Sequence, residues 1–269
     1  MNRISSGCYK LVEKLEACGF LKGPAFMAGY VFFLKHFSLY WWRLTERNET
    51  KTLLESLEPG MTVVDVGANV GYYTILMSRK VGNSGKVFAF EPDPLNFNVL
   101  EYHAKRYRCT NLVLEQKAVV SQSGSGRLYQ SQSNPGDHRI YDLRDGRKSI
   151  AVEIVSLDDY FKNIKNPIDF IKIDVQGAEM AVIDGMSDLL SDPSKTKNLQ
   201  ALIEFCPLAL EEFGSDAKEF LKKLDSLGLK IRVLDPKKKN TEPIRPESLT
   251  WDHWKREGYV NLLCSREAL

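Results

Sequence analysis

Met61-Thr62-Val63-Val64-Asp65-Val66-Gly67-Ala68-Asn69-Val70-Gly71 reads as a buried strand that breaks into a glycine-bearing turn and opens a helix at Tyr72-Tyr73-Thr74. Such turns take ligands, because the N–H groups of the turn and of the first helical residues have no intrahelical partner. Gly67 and Gly71 are expected to let a bound molecule come close to the main chain. A dinucleotide fingerprint needs its second glycine where this chain has Asn69, and Asp65 lies two residues before the first glycine. A carboxylate there repels a pyrophosphate. It suits a ligand that carries a sulfonium and an ammonium.

Outward from this turn, the chain alternates strand and helix in the manner of a doubly wound sheet. A helix from Gly71 to about Lys80 and the turn Gly82-Asn83-Ser84-Gly85 lead into a strand over Lys86–Phe90. Glu91-Pro92-Asp93-Pro94 starts a helix reaching about Tyr107, and Asn111–Gln116 is a third strand. Arg127–Gln130 and Ile150–Val155 read as extended, and Ser156 caps a short helix. Ile168–Asp174 and Leu202–Phe205 are further buried strands, with helices expected from Ala178 and over Ser215–Leu227. Lys230–Leu234 and Tyr259–Cys264 close the sheet. Residues 235–247, rich in proline and lysine, read as an irregular loop able to reach across the substrate mouth.

A chain of 269 residues, 43% of them hydrophobic, can bury a sizeable core, and its size suits one catalytic domain, 49–269, behind an N-terminal helical extension, 1–48. A net charge of +2, with no long basic stripe, argues against a protein that coats nucleic acid. Five scattered cysteines lack zinc or dithiol spacing and read as free thiols in a cytoplasmic setting. The N-terminus lacks the pattern of a signal peptide. The apolar stretch Gly23–Trp42 is interrupted by Lys35 and His36, so it is too short to span a bilayer. Its aromatics fall at helical spacing, which suits packing on the main domain, a lid, or a face for lipid or a partner subunit.

Chemistry is expected at the carboxyl ends of the strands, where the crevice of an open α/β sheet lies. Glu91 closes the second strand about twenty residues beyond the glycine turn, where it can accept hydrogen bonds from both hydroxyls of a ribose. Together with Asp65 and Asn69 it points to S-adenosylmethionine. Gln116-Lys117-Ala118 closes the third strand, where an adenine edge would lie. Asp174 ends the fourth strand within Ile171-Lys172-Ile173-Asp174-Val175-Gln176-Gly177-Ala178-Glu179.

This string, taken with the one from Asp65 to Thr74 and with Phe90-Glu91-Pro92, resembles the FkbM family of S-adenosylmethionine-dependent methyltransferases, over about residues 50–265. The resemblance implies a class I, Rossmann-like α/β fold: a seven-stranded, mostly parallel sheet with helices on both faces. It implies methyl transfer to a hydroxyl of a sugar, glycolipid or secondary metabolite. Asp65, Gly67, Asn69 and Gly71 would contact the methionine part of the donor, Glu91 the ribose and Ala118 the adenine edge. Ala68, Tyr73 and Pro92 complete the donor set, and Asp174 would face donor and acceptor alike. Gln176 departs from the glutamate common at this position, which leaves Asp174 and Glu179 as the acids of the string.

On the acceptor side, His138 in Asp137-His138-Arg139 is the imidazole candidate for the proton-accepting base, on a loop expected to overhang the strand ends. Arg139, Arg144 and Arg147 could hold an anionic acceptor group. Glu204, ending the fifth strand, joins Asp174 and Glu179 as an acid at the same rim. A divalent cation on these three is the alternative to a metal-free site, which is the expectation. The competing functions are methylation of nitrogen or nucleic acid, for which the Asn-Pro-Pro-aromatic type of string is missing, and nicotinamide oxidoreduction, which Asp65 and Asn69 disfavour.

Overall fold

The computed structural model describes residues 47–131, 134, 136–234 and 258–266. The chain divides into two units, 1–47 and 48–269, and nearly all described residues belong to the second. The aromatic N-terminal stretch and the 235–247 loop lie outside the described residues.

Helix α1 (Arg47–Ser56) precedes strand β1 (Thr62–Val66), all five residues of which are buried, as an apolar run in the middle of a parallel sheet requires. Then follow α2 (Tyr72–Val81), β2 (Lys86–Phe90), α3 (Pro94–Arg106) and β3 (Leu112–Glu115). Asp93 caps α3, its Oδ1 accepting from Leu95 N at 2.9 Å and Asn96 N at 3.0 Å, with Pro94 in the first turn. After β3 the chain leaves the main sheet. Strands β4 (Lys117–Val119), β5 (Gly124–Gln130) and β6 (Lys148–Val155) form a separate three-stranded sheet, in which β4 runs parallel and β5 antiparallel to the central β6.

Ser156 caps α4 (Leu157–Tyr160), accepting from Asp159 N at 3.2 Å. The chain returns to the main sheet as β7 (Phe170–Ile173) and continues through the short helices α5 (Glu179–Asp184), α6 (Ser187–Ser191) and α7 (Pro193–Thr196). Next come β8 (Gln200–Phe205), α8 (Pro207–Phe213), α9 (Ala217–Ser226), β9 (Lys230–Leu234) and β10 (Val260–Ser265). The main sheet has the order β3-β2-β1-β7-β8-β10-β9. Its strands are parallel except β10, which inserts antiparallel between β8 and β9. The order reverses between β1 and β7, so the carboxyl ends of these two strands flank the switch-point crevice.

The expected third strand, Asn111–Gln116, is β3, but Lys117 and Ala118, expected to close it, belong to β4 in the other sheet. The Ala118 side chain packs with Leu128 and Val152. The expected extended segments Arg127–Gln130 and Ile150–Val155 lie in β5 and β6, whereas their pairing into a separate sheet and the short helices α6 to α8 are not anticipated by the sequence pattern. The main core joins Val64, Val66, Phe90, Ile171, Ile173 and Ile203 from the central strands.

Candidate active site

The turn after β1 is closed by the protein's own groups. Gly67 N and Ala68 N both donate to Phe90 O, at 3.0 and 2.9 Å, and Gly71 N donates to Ala68 O at 2.9 Å. Asn69, in the left-handed region at φ +50°, folds its Oδ1 onto Val70 N at 2.7 Å. The turn N–H groups expected to be free for a ligand are thus largely used. The two glycines also answer to the fold. A Cβ on Gly67 (φ +81°) would lie 1.9 Å from the carbonyl oxygen of Asp174, and one on Gly71 (φ +91°) would lie 2.5 Å from Leu100 Cδ1. Close approach by β7 and α3, rather than by a ligand, demands them.

Asp65 is fully buried and accepts from Thr74 Oγ1 at 2.6 Å. This bond ties β1 to α2. Its Oδ1 has no hydrogen-bond partner among the described residues. Burial raises its pKa, against the opposing charge of Lys172 across the parallel pair. Lys172, itself buried, reaches Asp174 Oδ2 at 3.0 Å and lies 4.9 Å over the ring of Tyr73. The sequence offered a signal for this group, a lysine inside the otherwise apolar Phe170–Ile173, which the reading passed over.

Glu91, 5% exposed, accepts from Asn69 N at 2.8 Å and from Asp93 N at 2.9 Å, with half-buried Pro92 between the two acids. Burial pushes its pKa up to about 8 even against those two donors. A buried carboxylate in that state gains from further hydroxyl donors, because each oxygen keeps an acceptor site. This fits a ribose, and the orphaned Asp65 oxygen fits a cation above the turn.

Asp174 and Glu204 come together. Gln176 Nε2 donates to Asp174 Oδ1 at 2.8 Å and to Glu204 Oε2 at 2.7 Å, which joins the carboxyl ends of β7 and β8. Glu179 does not join them. It is buried in the first turn of α5, and its Oε1 accepts from Val175 N at 3.2 Å and Gly177 N at 3.1 Å. Burial raises its pKa to about 7. The acceptor-side role expected of Glu179 is replaced by support of the Asp174–Gly177 turn. Among the described residues, no group of three or more His, Cys, Asp or Glu is arranged to hold a metal.

His138 is also placed otherwise than expected. Its Nδ1 accepts from Ser131 N at 3.0 Å, which puts the ring proton on Nε2, and Nε2 lies 3.6 Å from Asp93 Oδ2. Gln130 Nε2 donates to the same Asp93 oxygen at 2.6 Å. Burial lowers the pKa of His138, so the ring is neutral at pH 7. With both nitrogens turned to the protein, it clips its loop to the cap of α3. At Gly136 the loop lies beside Asn69, on the donor side of the crevice.

Arg139 and Arg147 are likewise occupied, whereas Arg144, among the described residues, bonds Asp142 only through its backbone N–H. Arg139 Nε bonds Asp137 Oδ1 at 2.8 Å and its Nη1 bonds Glu212, while Arg147 holds Asp137 and Asp145. Tyr141 accepts from Arg139 Nη1 at 2.5 Å, stands 3.2 Å from the carbonyl oxygens of Gln176 and Ala209, and packs edge-on to Phe213. This latch holds the loop against α8. No sequence pattern announced Tyr141.

The strand order, the switch-point turn and the acid ending β2 define a class I methyltransferase fold, whose donor is S-adenosylmethionine. Residues 65–231 match the Methyltransferase FkbM domain, and the chain belongs to the FkbM methyltransferase family. It is 29% identical over 155 residues to the hexuronic acid methyltransferase AglP of Haloferax volcanii, covering 55% of this chain and 61% of that one. Identity is also 29% to the 31-O-demethyl-FK506 methyltransferase FkbM of Streptomyces tacrolimicus, over 49% of this chain and 62% of that one. The chain spans about three fifths of the length of these curated relatives. A putative rRNA-methylase from Clostridium thermocellum shares the fold, with a TM-score of 0.50 at 12% identity over 82% of this chain and 96% of that one. Among the described residues, no helix is long and apolar enough to cross a membrane.

Proposed function

We propose that the chain, through a catalytic domain over 49–269, transfers a methyl group from S-adenosylmethionine to a hydroxyl oxygen of a sugar, glycolipid or secondary-metabolite acceptor. The observation that carries this reading is the pair Asp174 and Glu204, bridged at the ends of adjacent strands beside the glycine turn. The names of two relatives, one a hexuronic acid methyltransferase and one a 31-O-demethyl-FK506 methyltransferase, support a small hydroxylated acceptor.

Glu91 holds the ribose hydroxyls, with Asn69 and Pro92 shaping that corner. Tyr73 and Asp65 act on the positive methionine end, and the main chain near Ala118 borders the adenine. When bound, the donor supplies a methyl group on a sulfonium, which leaves without its bonding electrons. The acceptor oxygen forms the new bond and its proton passes to Asp174 or Glu204, both of which are acceptors in the bridged arrangement. Orientation of the hydroxyl contributes as much as basicity. Arg139 and Arg147 are paired with Asp137, Asp145 and Glu212, so an anionic acceptor group would have to compete with those carboxylates for them.

The test is transfer of labelled methyl to a panel of neutral sugars, uronates and macrolides, with the new methyl located by mass spectrometry. O-methylation of a neutral hydroxyl supports the reading. Methyl gain on nitrogen, or failure to bind S-adenosylhomocysteine, overturns it.

A further inference from the structure

Gln176 stands at φ +54°, the left-handed region in which a long side chain persists only when its surroundings hold it. What holds it is its own amide: the two N–H bonds of Nε2 go to two different carboxylates, on β7 and β8. Asp174 is bound on its other oxygen by Lys172, so a continuous chain of contacts runs Lys172, Asp174, Gln176, Glu204. The Oε1 of Gln176 has no hydrogen bond among the described residues, so the amide is held through Nε2.

We propose that Gln176 is a positioning residue: its neutral, two-donor amide clamps Asp174 and Glu204 into one acceptor-facing pair. The proposal rests on the reading of those acids as the acceptor side. An acid at this position has no donor when ionised, so it would set three carboxylates at hydrogen-bond distance, and only a shared proton could rebuild the bridge. The clamp in this chain therefore needs no proton at position 176, whereas a clamp built on a glutamate would exist only while that acid is protonated.

Other charges around the turn bear on any titration there. Glu179 faces it from α5, and Cys206 follows Glu204 into α8. From the loop, the hydroxyl of Tyr141 touches the Gln176 carbonyl and brings Arg139 and Glu212 with it. These groups are common to the wild type and both variants below, so differences from wild type isolate position 176.

The experiment compares Gln176→Glu with Gln176→Met, a side chain of equal length and no donor, by melting temperature from pH 5 to 8 and by calorimetric titration of S-adenosylhomocysteine. Gln176→Glu should melt near the wild type at pH 5, and its deficit should widen by about 3–6 °C toward pH 8 as the introduced acid ionises. Gln176→Met should show a deficit that does not change with pH. Both should bind S-adenosylhomocysteine within about threefold of the wild type, since the donor corner lies elsewhere. A Gln176→Glu profile parallel to wild type, or a Met variant with the same slope as the Glu variant, would overturn the clamp. A tenfold loss of S-adenosylhomocysteine affinity in the Met variant would instead assign Gln176 to the donor and overturn the acceptor-side pairing. Absence of binding by the wild type would remove the functional reading and leave the clamp to be judged on the melting curves.

Discussion

Replacing Glu91 by Gln tests the donor site most directly, because the perturbation removes a charge while keeping the shape. In the ligand-free protein burial pushes the Glu91 pKa from 4.5 to about 8, a displacement that corresponds to roughly 5 kcal/mol against ionisation at ~1.4 kcal/mol per unit. Ribose hydroxyls donate to the ionised form, so ligand binding must draw off a proton wherever the free site is protonated. If Glu91 is ionised throughout in the complex, affinity for S-adenosylhomocysteine should rise roughly 25-fold from pH 6.5 to 8.5. Close to one proton should be released per ligand at the lower pH. Calorimetry in two buffers of different ionisation heat reads both quantities.

In Glu91→Gln the pH dependence should vanish. The variant should bind about 10- to 100-fold more weakly than wild type at pH 8.5, from the loss of charge-assisted bonds worth about 1.5–3 kcal/mol, and within a few-fold of it at pH 6.5. A flat wild-type profile without proton release would refute the assignment of the ribose to Glu91, as would a variant whose affinity keeps the wild-type slope. The same shift fixes the sign of a stability effect. Glu91 and Glu179 both have folded pKa values raised above those of the unfolded chain, to about 8 and about 7. Their contribution is complete below ~pH 4.5 and is lost as pH rises through those values. The ligand-free melting temperature should therefore fall from pH 5 toward 8.5, and saturating S-adenosylhomocysteine should recover most of the loss at the alkaline end.

Three further outcomes are expected. Gly67→Ala, whose Cβ would meet the Asp174 carbonyl at 1.9 Å in a left-handed backbone, should cost about 2–6 kcal/mol in urea unfolding; a variant as stable as wild type would contradict the close packing of β1 on β7. His138→Ala should weaken S-adenosylhomocysteine binding about fivefold by releasing its loop from Asp93, an effect of roughly 1 kcal/mol, whereas loss of turnover with intact binding would restore the base role. Treatment with EDTA should leave donor affinity and methyl transfer unchanged, and activity that returns only with magnesium or manganese would disprove a metal-free site.

The sheet was legible because its strands are short apolar runs bounded by glycine, proline and acids, and Val63–Val66, Phe88–Phe90 and Ile171–Ile173 could hardly be anything else in an alternating chain. The departure at residues 117–155 was not legible. Lys117–Val119 continues the third strand without a break in pattern, and only pairing with Lys148–Val155 diverts it to a second sheet. Periodicity carries no record of which edge a strand will choose. The helices α6, α7 and α8 are too brief for a helical stripe to show.

At the site, the positions of Glu91, Asp174 and Glu204 followed from their place at strand ends, but the directions of the side chains did not. Glu179 sits next to that rim in sequence and turns inward, because the N–H groups of Val175 and Gly177 need an acceptor there. His138 lies on the foreseen loop, yet the loop's own backbone and Asp93 claim its ring. Tertiary partners decide such orientations, and those partners are distant in sequence.

The glycine turn carries the same lesson further. Read as a ligand motif, Gly67 and Gly71 make room for a bound molecule; in the fold they make room for Asp174 and Leu100, and most of the turn's N–H groups are spent within it. On the proposed reading the donor-binding chemistry would move from the glycines to the acid after the next strand, Glu91, which holds the main-chain N–H of Asn69 and is ionised only at a cost. A turn braced in this way is rigid before any ligand arrives, so little ordering is left to be done on binding. Glu91 would then couple that rigid turn to the ligand: one carboxylate fixes the main chain at Asn69 and, in the proposed complex, would accept from the hydroxyls of the molecule lying across it. Loss of the carboxylate should accordingly damage binding more than loss of any single turn contact.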